Sequence, residues 1–250
     1  MNLDLEGAGV IVAGASRGIG LAIATAFRSE GANVAINGRD PVSLDAAARA
    51  WGFKPIAADV CDPLAAASML DQAATALGKL DIVICNVGSG RSTPPGQETP
   101  DEWRRVLDIN LLATTNVIGA ARPVLTATGG GVIVCISSIC GSAALGAPVT
   151  YSAAKAALNM TIRGLARPMA KEGIRILGVA PGNILVPGGV WEGKLRDDPD
   201  GVGRMLEAEV SLRRLGTPED IASVVCFLAS PKASFMTGEI VVADGGQLRA

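Results

Sequence analysis

Short runs typical of β-strands recur along the chain and predict seven strands, the first of which, GVIVA, is apolar, β-branched and expected to be buried. Helical stretches separate the runs, and they are long enough to serve as right-handed crossover connections. The pattern therefore predicts an α/β fold, with a doubly wound parallel sheet of about seven strands and helices on both faces. The predicted strands cover residues 9–13, 33–37, 54–58, 80–85, 131–137, 174–180 and 239–243.

The chain is expected to form one domain over residues 1–250, because no internal repeat and no Pro- or Ser-rich linker divides it. Its hydrophobic content of 49% with only 3% aromatic residues predicts a core of Ala, Val, Ile and Leu. The longest stretch that looks irregular runs from residue 183 to residue 216. Irregular segments of this length in a compact domain are usually functional.

Charge and composition exclude several classes of partner and location. A formal net charge of −2, without basic clusters interleaved with aromatic residues, predicts no nucleic-acid partner. No charged residue occurs between Arg122 and Lys155, but the continuously apolar run in that segment, VIVCI, is far too short to span a bilayer, so no membrane association is expected. The N-terminus lacks the basic region of a signal peptide, and the five scattered cysteines suit a reducing compartment, which predicts a cytoplasmic protein with free thiols.

The chain contains no histidine and one tyrosine, Tyr151. The lack of histidine excludes Ser-His-Asp and Cys-His hydrolases and histidine-ligated zinc sites, and we predict no metal. Tyr151 stands four residues before Lys155, so the two side chains share one face of a predicted helix. The ammonium, together with a cationic cofactor, is expected to lower the phenol pKa. The alternative is a surface tyrosine that happens to precede a lysine.

A glycine-rich turn follows the first predicted strand. The sequence GASRGIG, residues 14–20, lies between that strand and an amphipathic helix. This order predicts a phosphate cradle, because glycine lets the backbone approach a pyrophosphate and a helix N-terminus offers unpaired N–H groups. The alternative is that the glycines serve only a tight turn.

These motifs occur together in the order and spacing of a known family. AGASRGIG, CNVG at residues 85–88, DIN with Asn110, SSICG with Ser138, and YSAAK with Tyr151 and Lys155 resemble the short-chain dehydrogenase/reductases. The resemblance extends from end to end and closes with ADGG at residues 243–246. It implies a Rossmann-like fold and an enzyme that transfers a hydride between a nicotinamide cofactor and a small carbonyl compound or alcohol.

The resemblance also implies a role for each member of a catalytic tetrad. Tyr151 is expected to donate a proton to a carbonyl or to act as the base for an alcohol. Ser138 polarises the carbonyl oxygen, and the neighbouring Ser137 is the alternative for that role. Lys155 lowers the Tyr151 pKa and binds the nicotinamide ribose, while Asn110 holds a water that links Lys155 to solvent.

The same resemblance implies a set of residues that line the cofactor cleft. Asp59 corresponds to the family residue that hydrogen-bonds the adenine. The complete expected set is Gly14, Ser16, Arg17, Gly18, Ile19, Gly20, Arg39, Asp59, Val60, Asn86, Gly88, Tyr151, Lys155, Pro181, Gly182 and Ile184.

Cofactor choice depends on the segment NGRDP after the second strand. Asp40 could bind the adenosine ribose of NAD, but Asp followed by Pro is also a standard helix start, and we favour that interpretation. In the family alignment the acid that selects NAD falls on Gly38, which leaves room for a phosphate. Arg39 and Arg17 are then expected to bind the 2′-phosphate, so that NADP(H) is preferred over NAD(H). The alternative is that both arginines are solvated.

The sequence indicates the type of reaction more precisely than it indicates the substrate. The chain resembles 3-oxoacyl-carrier-protein reductases, but sugar, polyol and cyclic-ketone dehydrogenases share the motifs, and a non-catalytic nucleotide sensor is the alternative from another class. The family places its substrate lid at residues 183–216, and Val186 stands where a threonine often binds the nicotinamide. A helix from Tyr151 to about Lys171 is expected to pair across a two-fold axis in a homotetramer, with a kink at Pro168.

Overall fold

The computed structural model describes residues 2–249. Seven strands form one parallel sheet, and each strand is within two residues of its expected position. The strands are β1 (Gly9–Ala13), β2 (Asn33–Gly38), β3 (Lys54–Ala57), β4 (Ile82–Cys85), β5 (Gly131–Ile136), β6 (Ile174–Pro181) and β7 (Ile240–Ala243). Their order across the sheet is β3-β2-β1-β4-β5-β6-β7. The predicted fold class, a single-domain Rossmann-like sheet, is confirmed.

Nine α-helices connect and cover the strands within residues 2–249. Helices α1, α2 and α9 pack on one face of the sheet, and α3, α5 and α6 pack on the other. The helices are α1 (Gly18–Ser29), α2 (Pro41–Trp51), α3 (Pro63–Leu77), α4 (Pro100–Leu107), α5 (Ala113–Ala127), α6 (Val149–Ala170), α7 (Val190–Asp197), α8 (Pro199–Glu209) and α9 (Pro218–Ala229). A π-helical turn, Asp108–Leu112, joins α4 to α5.

Alternation along the central strand divides the core into two layers. Val10 and Val12 of β1 point to the layer of α1 and α9, whereas Ile11 and Ala13 point to the layer of α3 and α5. All five residues of β1 are buried, as expected for a parallel strand that is covered on both faces. This rigid centre fixes the turn that follows β1, which is the glycine-rich segment.

The segment 183–216 is not irregular, and this corrects the sequence interpretation. It contains α7 and α8, which begin at Val190 and at Pro199. Asp198 caps α8 by accepting a hydrogen bond from the Gly201 N–H at 2.8 Å, and Pro199 fills the first helical position. The many glycines and charged residues in this stretch made the start of α8 difficult to recognise in the sequence.

Helix α6 runs without interruption from Val149 to Ala170 and contains Pro168. It begins slightly before the expected Tyr151, which therefore lies in the first turn. The kink at Pro168 stays a prediction. Within residues 2–249 none of the helices has the length and apolarity that crossing a membrane requires.

Candidate active site

The strand order reverses at β1, which lies between β2 and β4. Crossovers leave β1 in opposite directions there, and the carboxyl ends of the strands border a cleft in which doubly wound folds bind ligands. A cavity of about 1080 Å³ occupies this position. It is lined by residues that directly follow β1 to β6, so the sheet itself assembles the site.

The cavity brings together most of the residues expected from the sequence. Two of them, Gly20 and Asn110, do not line it. The expected residues in its wall are Gly14, Ser16, Arg17, Gly18, Ile19, Arg39, Asp59, Val60, Asn86, Gly88, Ser138, Tyr151, Lys155, Pro181, Gly182 and Ile184.

The turn after β1 has the geometry of a phosphate cradle. Gly14 and Gly18 adopt φ angles of +73° and +59°, which L side chains rarely take. Helix α1 starts at Gly18 without a capping side chain and without an acidic residue in its first turn. Its N–H groups and positive dipole end therefore face the cavity unneutralised, which fits a cofactor pyrophosphate.

Gly20 lies outside the cavity wall and packs tightly beneath the turn. A Cβ at this position would lie 2.3 Å from the Gly14 carbonyl oxygen and 2.5 Å from the Asn86 amide nitrogen. The Asn86 Nδ2 group also donates to the Gly14 oxygen at 2.7 Å. Gly20 thus lets α1 approach β1 closely, underneath the turn.

At the adenosine end, Asp40 is confirmed as a helix cap. Its carboxylate accepts hydrogen bonds from the N–H groups of Val42 and Ser43, at 3.3 Å and 3.1 Å, and Pro41 occupies the first helical position. These bonds to Ser43 and Val42 hold the Asp40 pKa below its usual value. The carboxylate is therefore committed to α2, and Asp40 does not line the cavity wall.

Gly38 ends β2 inside the cavity wall, next to Arg39. A Cβ on Gly38 would meet the side chains of Leu44 and Ser16 only at 3.4–3.5 Å, which is ordinary contact. The Arg39 guanidinium lies 3.8 Å from the Asp59 carboxylate, and both groups are well exposed. At this end of the cavity, Asp40 is engaged as a helix cap, Gly38 has no side chain, and Arg39 makes only a long and exposed ion pair.

Three members of the predicted tetrad meet at the other end of the cavity. Tyr151 and Lys155 occupy successive turns of α6, and Ser138 begins the short 3₁₀ turn after β5. The Lys155 ammonium nitrogen is 5.9 Å from the Tyr151 ring centre. It donates a hydrogen bond to the Ile136 carbonyl oxygen at 2.8 Å. Lys155 is buried, with 3% of its surface exposed.

In the protein without a cofactor, the pKa of Tyr151 lies above its ordinary value. Burial raises it to about 12, and the hydrogen bond with Ser138 opposes this shift without reversing it. Burial also lowers the pKa of Lys155 to about 8. The expected lowering involves Lys155 together with a cationic cofactor, and it stays a prediction. A lowered phenol pKa thus requires an additional positive charge in the cavity.

Asn110 lies under the cavity, in the π-helical turn between α4 and α5. Its Oδ1 accepts from the Ser89 N–H at 2.8 Å, and its Nδ2 donates to the carbonyl oxygens of Ser89 and Val106, each at 3.1 Å. Both amide protons are therefore used within the protein, and the expectation that Asn110 holds a water stays a prediction. The Asn110 amide instead fixes the chain that follows β4.

Sequence reasoning missed several residues of the cavity wall. Asn37 is buried in β2, where its amide bonds the carbonyl oxygens of Ile56 and Ala58. The signal that could have found it is position, since it lies at the carboxyl end of a central parallel strand. Most of the others lie on loops or on α7 and α8, and the sequence does not indicate which residues of these segments border the cavity. They include Ser89, Gly90, Ser92, Pro94, Pro95, Leu145–Pro148, Lys194, Met205, Glu209 and Gln247.

The five cysteines are free thiols. Cys85 and Cys135 are paired by register on β4 and β5, and their mutual hydrogen bond and burial raise the Cys85 pKa well above its usual value. Cys140 lines the cavity and donates its N–H to Ser138 Oγ at 3.1 Å. Within residues 2–249 no three Cys, Asp or Glu side chains cluster as metal ligands.

Comparison with known proteins agrees with this geometry. The family model described as Enoyl-(Acyl carrier protein) reductase matches residues 14–247. The chain is 36% identical over 245 residues to cis-4-hydroxycyclohexanecarboxylate dehydrogenase of Sinomonas cyclohexanicum, covering 94% of each chain. It superposes on 7α-hydroxysteroid dehydrogenase complexed with NADH and 7-oxo glycochenodeoxycholic acid with a TM-score of 0.89, at 29% identity over 100% of this chain and 97% of that one.

A third relative is L-sorbose reductase of Gluconobacter frateurii, complexed with NADPH and L-sorbose. Its TM-score is 0.92, at 29% identity, and the match covers 100% of both chains. The solved relatives thus hold either nicotinamide cofactor in the same fold. With the family match and the curated relative, they show that the chain belongs to the short-chain dehydrogenase/reductase family, as an oxidoreductase of alcohols and ketones.

Proposed function

We propose that this protein is an NADP(H)-dependent enzyme that interconverts a ketone and a secondary alcohol. The observation that carries the proposal is one continuous cavity. It joins the uncapped N-terminus of α1 to the side chains of Ser138, Tyr151 and Lys155. A ligand that fills this cavity would contact both an anion-binding helix N-terminus and a proton-donating side chain.

The nicotinamide, when bound, supplies or accepts the hydride, and the protein supplies position and proton. In the reducing direction Tyr151 would give its phenolic proton to the carbonyl oxygen of the substrate. The Ser138 hydroxyl would donate a hydrogen bond to the same oxygen as negative charge develops on it. Lys155 would bind the nicotinamide ribose and stabilise the phenolate, and Asn110 holds the loop that carries Gly88 and Ser89.

The preference for NADP(H) is supported by the adenosine end of the cavity. Asp40 is committed to capping α2, so it is not available to the ribose hydroxyls. Gly38 leaves space beside the ribose, and Arg39 follows it in the cavity wall. Arg17 also lines the cavity, with a guanidinium nitrogen 3.8 Å from the position that a Cβ on Gly188 would take. A 2′-phosphate beside Gly38 would meet the Arg39 guanidinium, whose ion pair with Asp59 is long and exposed.

Two substrate classes fit the proposal. The sequence resemblance favours a 3-oxoacyl thioester. An alicyclic ketone is favoured by the cavity wall, where Leu145, Val190, Trp191 and Met205 offer apolar surface. It is also favoured by relatives whose names contain a cyclohexane carboxylate and a steroid. The segment 183–216, with α7 and α8, would act as the lid over either substrate.

The test is a panel of carbonyl compounds offered to the purified protein with NADPH and with NADH. The panel contains 3-oxoacyl thioesters, cyclohexanones with and without a carboxylate, an oxosteroid and a keto sugar. The loss of NADPH absorbance with one class and not the others identifies the substrate class. The same rate with NADH would contradict the cofactor preference. No oxidation with any member would overturn the enzymatic proposal and favour a nucleotide sensor.

We further propose a cytoplasmic homotetramer that contains an α6 pair across a two-fold axis. Apolar side chains remain on the surface of the protomer, including Met160 on α6 with 66% exposed and Phe235 fully exposed. Such surface is costly unless a second copy covers it. Light scattering at micromolar concentration is expected to give four times the mass of 25.3 kDa. The mass of one chain would contradict the assembly.

A further inference from the structure

Asn159 lies on the same face of α6 as Tyr151 and Lys155, because the three residues are spaced by four. Its side chain is buried, with 3% exposed. A buried amide in a helix needs partners for its hydrogen-bonding groups. The partners of Asn159 lie outside the helix, in the segment that carries Ser138.

The amide of Asn159 holds that segment at both ends. Its Oδ1 accepts a hydrogen bond from Ser137 Oγ at 2.5 Å, and its Nδ2 donates a longer one to Ser142 Oγ at 3.4 Å. Ser138 directly follows Ser137 in the sequence. A single side chain therefore fixes the segment just before the predicted catalytic hydroxyl and again four residues after it.

Close packing leaves the segment little freedom between these two bonds. A Cβ on Gly141 would lie 2.7 Å from the Lys155 carbonyl carbon and 2.9 Å from Asn159 Nδ2. The segment thus rests directly on the backbone of α6. The Ser137 N–H also donates to the Val179 oxygen at 2.7 Å, which anchors the other side. The contact with α6 consequently fixes where Ser138 stands relative to Tyr151.

The hydroxyl of Ser137 is already committed to Asn159, whereas Ser138 Oγ accepts only the Cys140 N–H and keeps its own proton to donate. We propose that Asn159, acting through Ser137, is a positioning residue that sets the Ser138 hydroxyl against the Tyr151 phenol. This inference rests on the proposed function, since it assigns Asn159 and Ser137 to support of the same site.

The titratable groups that face Tyr151 are Lys155 on its own helix and Cys140 on the 3₁₀ turn. Neither is altered by a change at residue 159. The Ser138 hydroxyl lowers the Tyr151 pKa, so displacement of Ser138 should let that pKa rise. Tyr151 is the only tyrosine in the chain, so a signal from labelled tyrosine reports this residue alone.

The experiment compares Asn159→Leu and Ser137→Ala with the unmodified protein. Asn159→Leu keeps the shape and removes both hydrogen bonds, and Ser137→Ala removes one hydroxyl. The control, Thr161→Val, removes a hydroxyl that bonds only within α6, to the Ala157 oxygen. The readouts are kcat, the Kd of NADPH, and the pH titration of ¹³C-labelled tyrosine with NADP⁺ present and absent.

We expect Asn159→Leu to lower kcat about tenfold to a hundredfold, because misplacement of a polarising group by a fraction of an ångström has effects of that size. Ser137→Ala should act in the same direction and less strongly, and the control should stay within about twofold. In both variants the tyrosine should titrate at higher pH, with the Kd of NADPH unchanged.

An unaltered tyrosine titration and kcat in both variants would overturn the role of Asn159. A lower melting temperature with an unaltered titration would show a purely structural role, which also contradicts the proposal. If Asn159→Leu does not fold, Ser137→Ala decides the question. If the unmodified protein reduces no carbonyl compound, the proposed function fails, and the tyrosine titration still tests the positioning of Ser138.

Discussion

The Lys155 ammonium donates a hydrogen bond to the carbonyl oxygen of Ile136, 2.8 Å away, and so ties α6 to the end of β5. The bond lies in a buried environment, where an ammonium loses most of its hydration. The pKa of Lys155, lowered to about 8 by burial, reflects this cost. The Lys155 ammonium of the folded protein therefore gives up its proton more easily than the same group in the unfolded chain.

This shift gives the stability of the protein a predictable dependence on pH. Between the folded pKa of about 8 and the ordinary value of 10.5, the unfolded chain binds more protons at Lys155 than the folded protein does. The free energy of unfolding should therefore rise with pH in this window, by about 2 kcal/mol from roughly pH 7.5 to 9.5. The variant Lys155→Met should lack this rise. Urea unfolding of both proteins without cofactor measures it, and parallel pH curves would contradict it.

Arg39→Ala should reduce the preference for NADPH over NADH. One charge-assisted bond of about 1.5 kcal/mol to a phosphate corresponds to roughly a tenfold change in Kd. The ion pair of Arg39 with Asp59 is long and exposed, so its loss should leave the fold intact. The control is Asp40→Ala, which removes the cap of α2 and should lower stability without changing the ratio of the two dissociation constants. A ratio that follows Asp40 instead would show that it binds the ribose.

Gly38→Asp should reverse the cofactor preference. The position accepts a Cβ at ordinary contact distances from Leu44 and Ser16, so the substitution should be tolerated. A carboxylate there would repel a 2′-phosphate and accept hydrogen bonds from ribose hydroxyls. Titration of cofactor fluorescence should show weaker NADPH binding and stronger NADH binding. Equal losses for both cofactors would mean that the site was merely distorted.

Tyr151→Phe removes one oxygen and hardly changes volume, so fold and NADPH binding should persist. General acid catalysis contributes about 10²- to 10⁴-fold, and kcat should fall by at least that range when chemistry limits the rate. Single-turnover measurements with the substrate found by the panel provide the test. A variant that keeps more than about a tenth of the unmodified rate would contradict the role of Tyr151.

Arg91→Ala should speed the release of NADPH. The Arg91 guanidinium donates to the carbonyl oxygen of Gly188 at 3.1 Å, which links the loop after β4 to the start of the 183–216 segment. An exposed bond of this kind contributes about 1 kcal/mol, so the dissociation rate should rise about fivefold. Stopped-flow displacement measures the rate. Arg104→Ala is the control, because Arg104 pairs with Asp101 on the surface of α4 and is absent from the cavity wall.

The fold was predictable because its signals are local. The inner strands β1, β4 and β5 are apolar runs that are buried on both faces. Several helices begin with a capping residue followed by proline, as at Asp40 and Asp62. The same rule would have found α8 at Asp198. The glycines of the segment 183–216 outweighed that signal, although tertiary contacts let helices form there.

Only the residues of the candidate site that belong to recognisable sequence motifs were predictable. Family spacing identified Ser138, Tyr151 and Lys155, and the structure places them in one cavity. It could not identify Asn159, because the importance of that residue lies in contacts with a segment about twenty residues away in sequence. The direction of the Tyr151 pKa shift could not be predicted from the sequence either, since it depends on how deeply the phenol is buried.

The cavity wall contains residues from both ends of the chain, from Gly14 to Gln247. Gly182 packs so tightly against the turn after β7 that a Cβ there would lie 2.8 Å from the Asp244 Cα. Among these wall residues, the glycine turn leaves the ribosome first and Gln247 leaves it last. A nascent chain therefore cannot complete this cavity wall until the turn after β7 has been synthesised, and a ligand that needs the whole wall can stabilise the fold only from that point on.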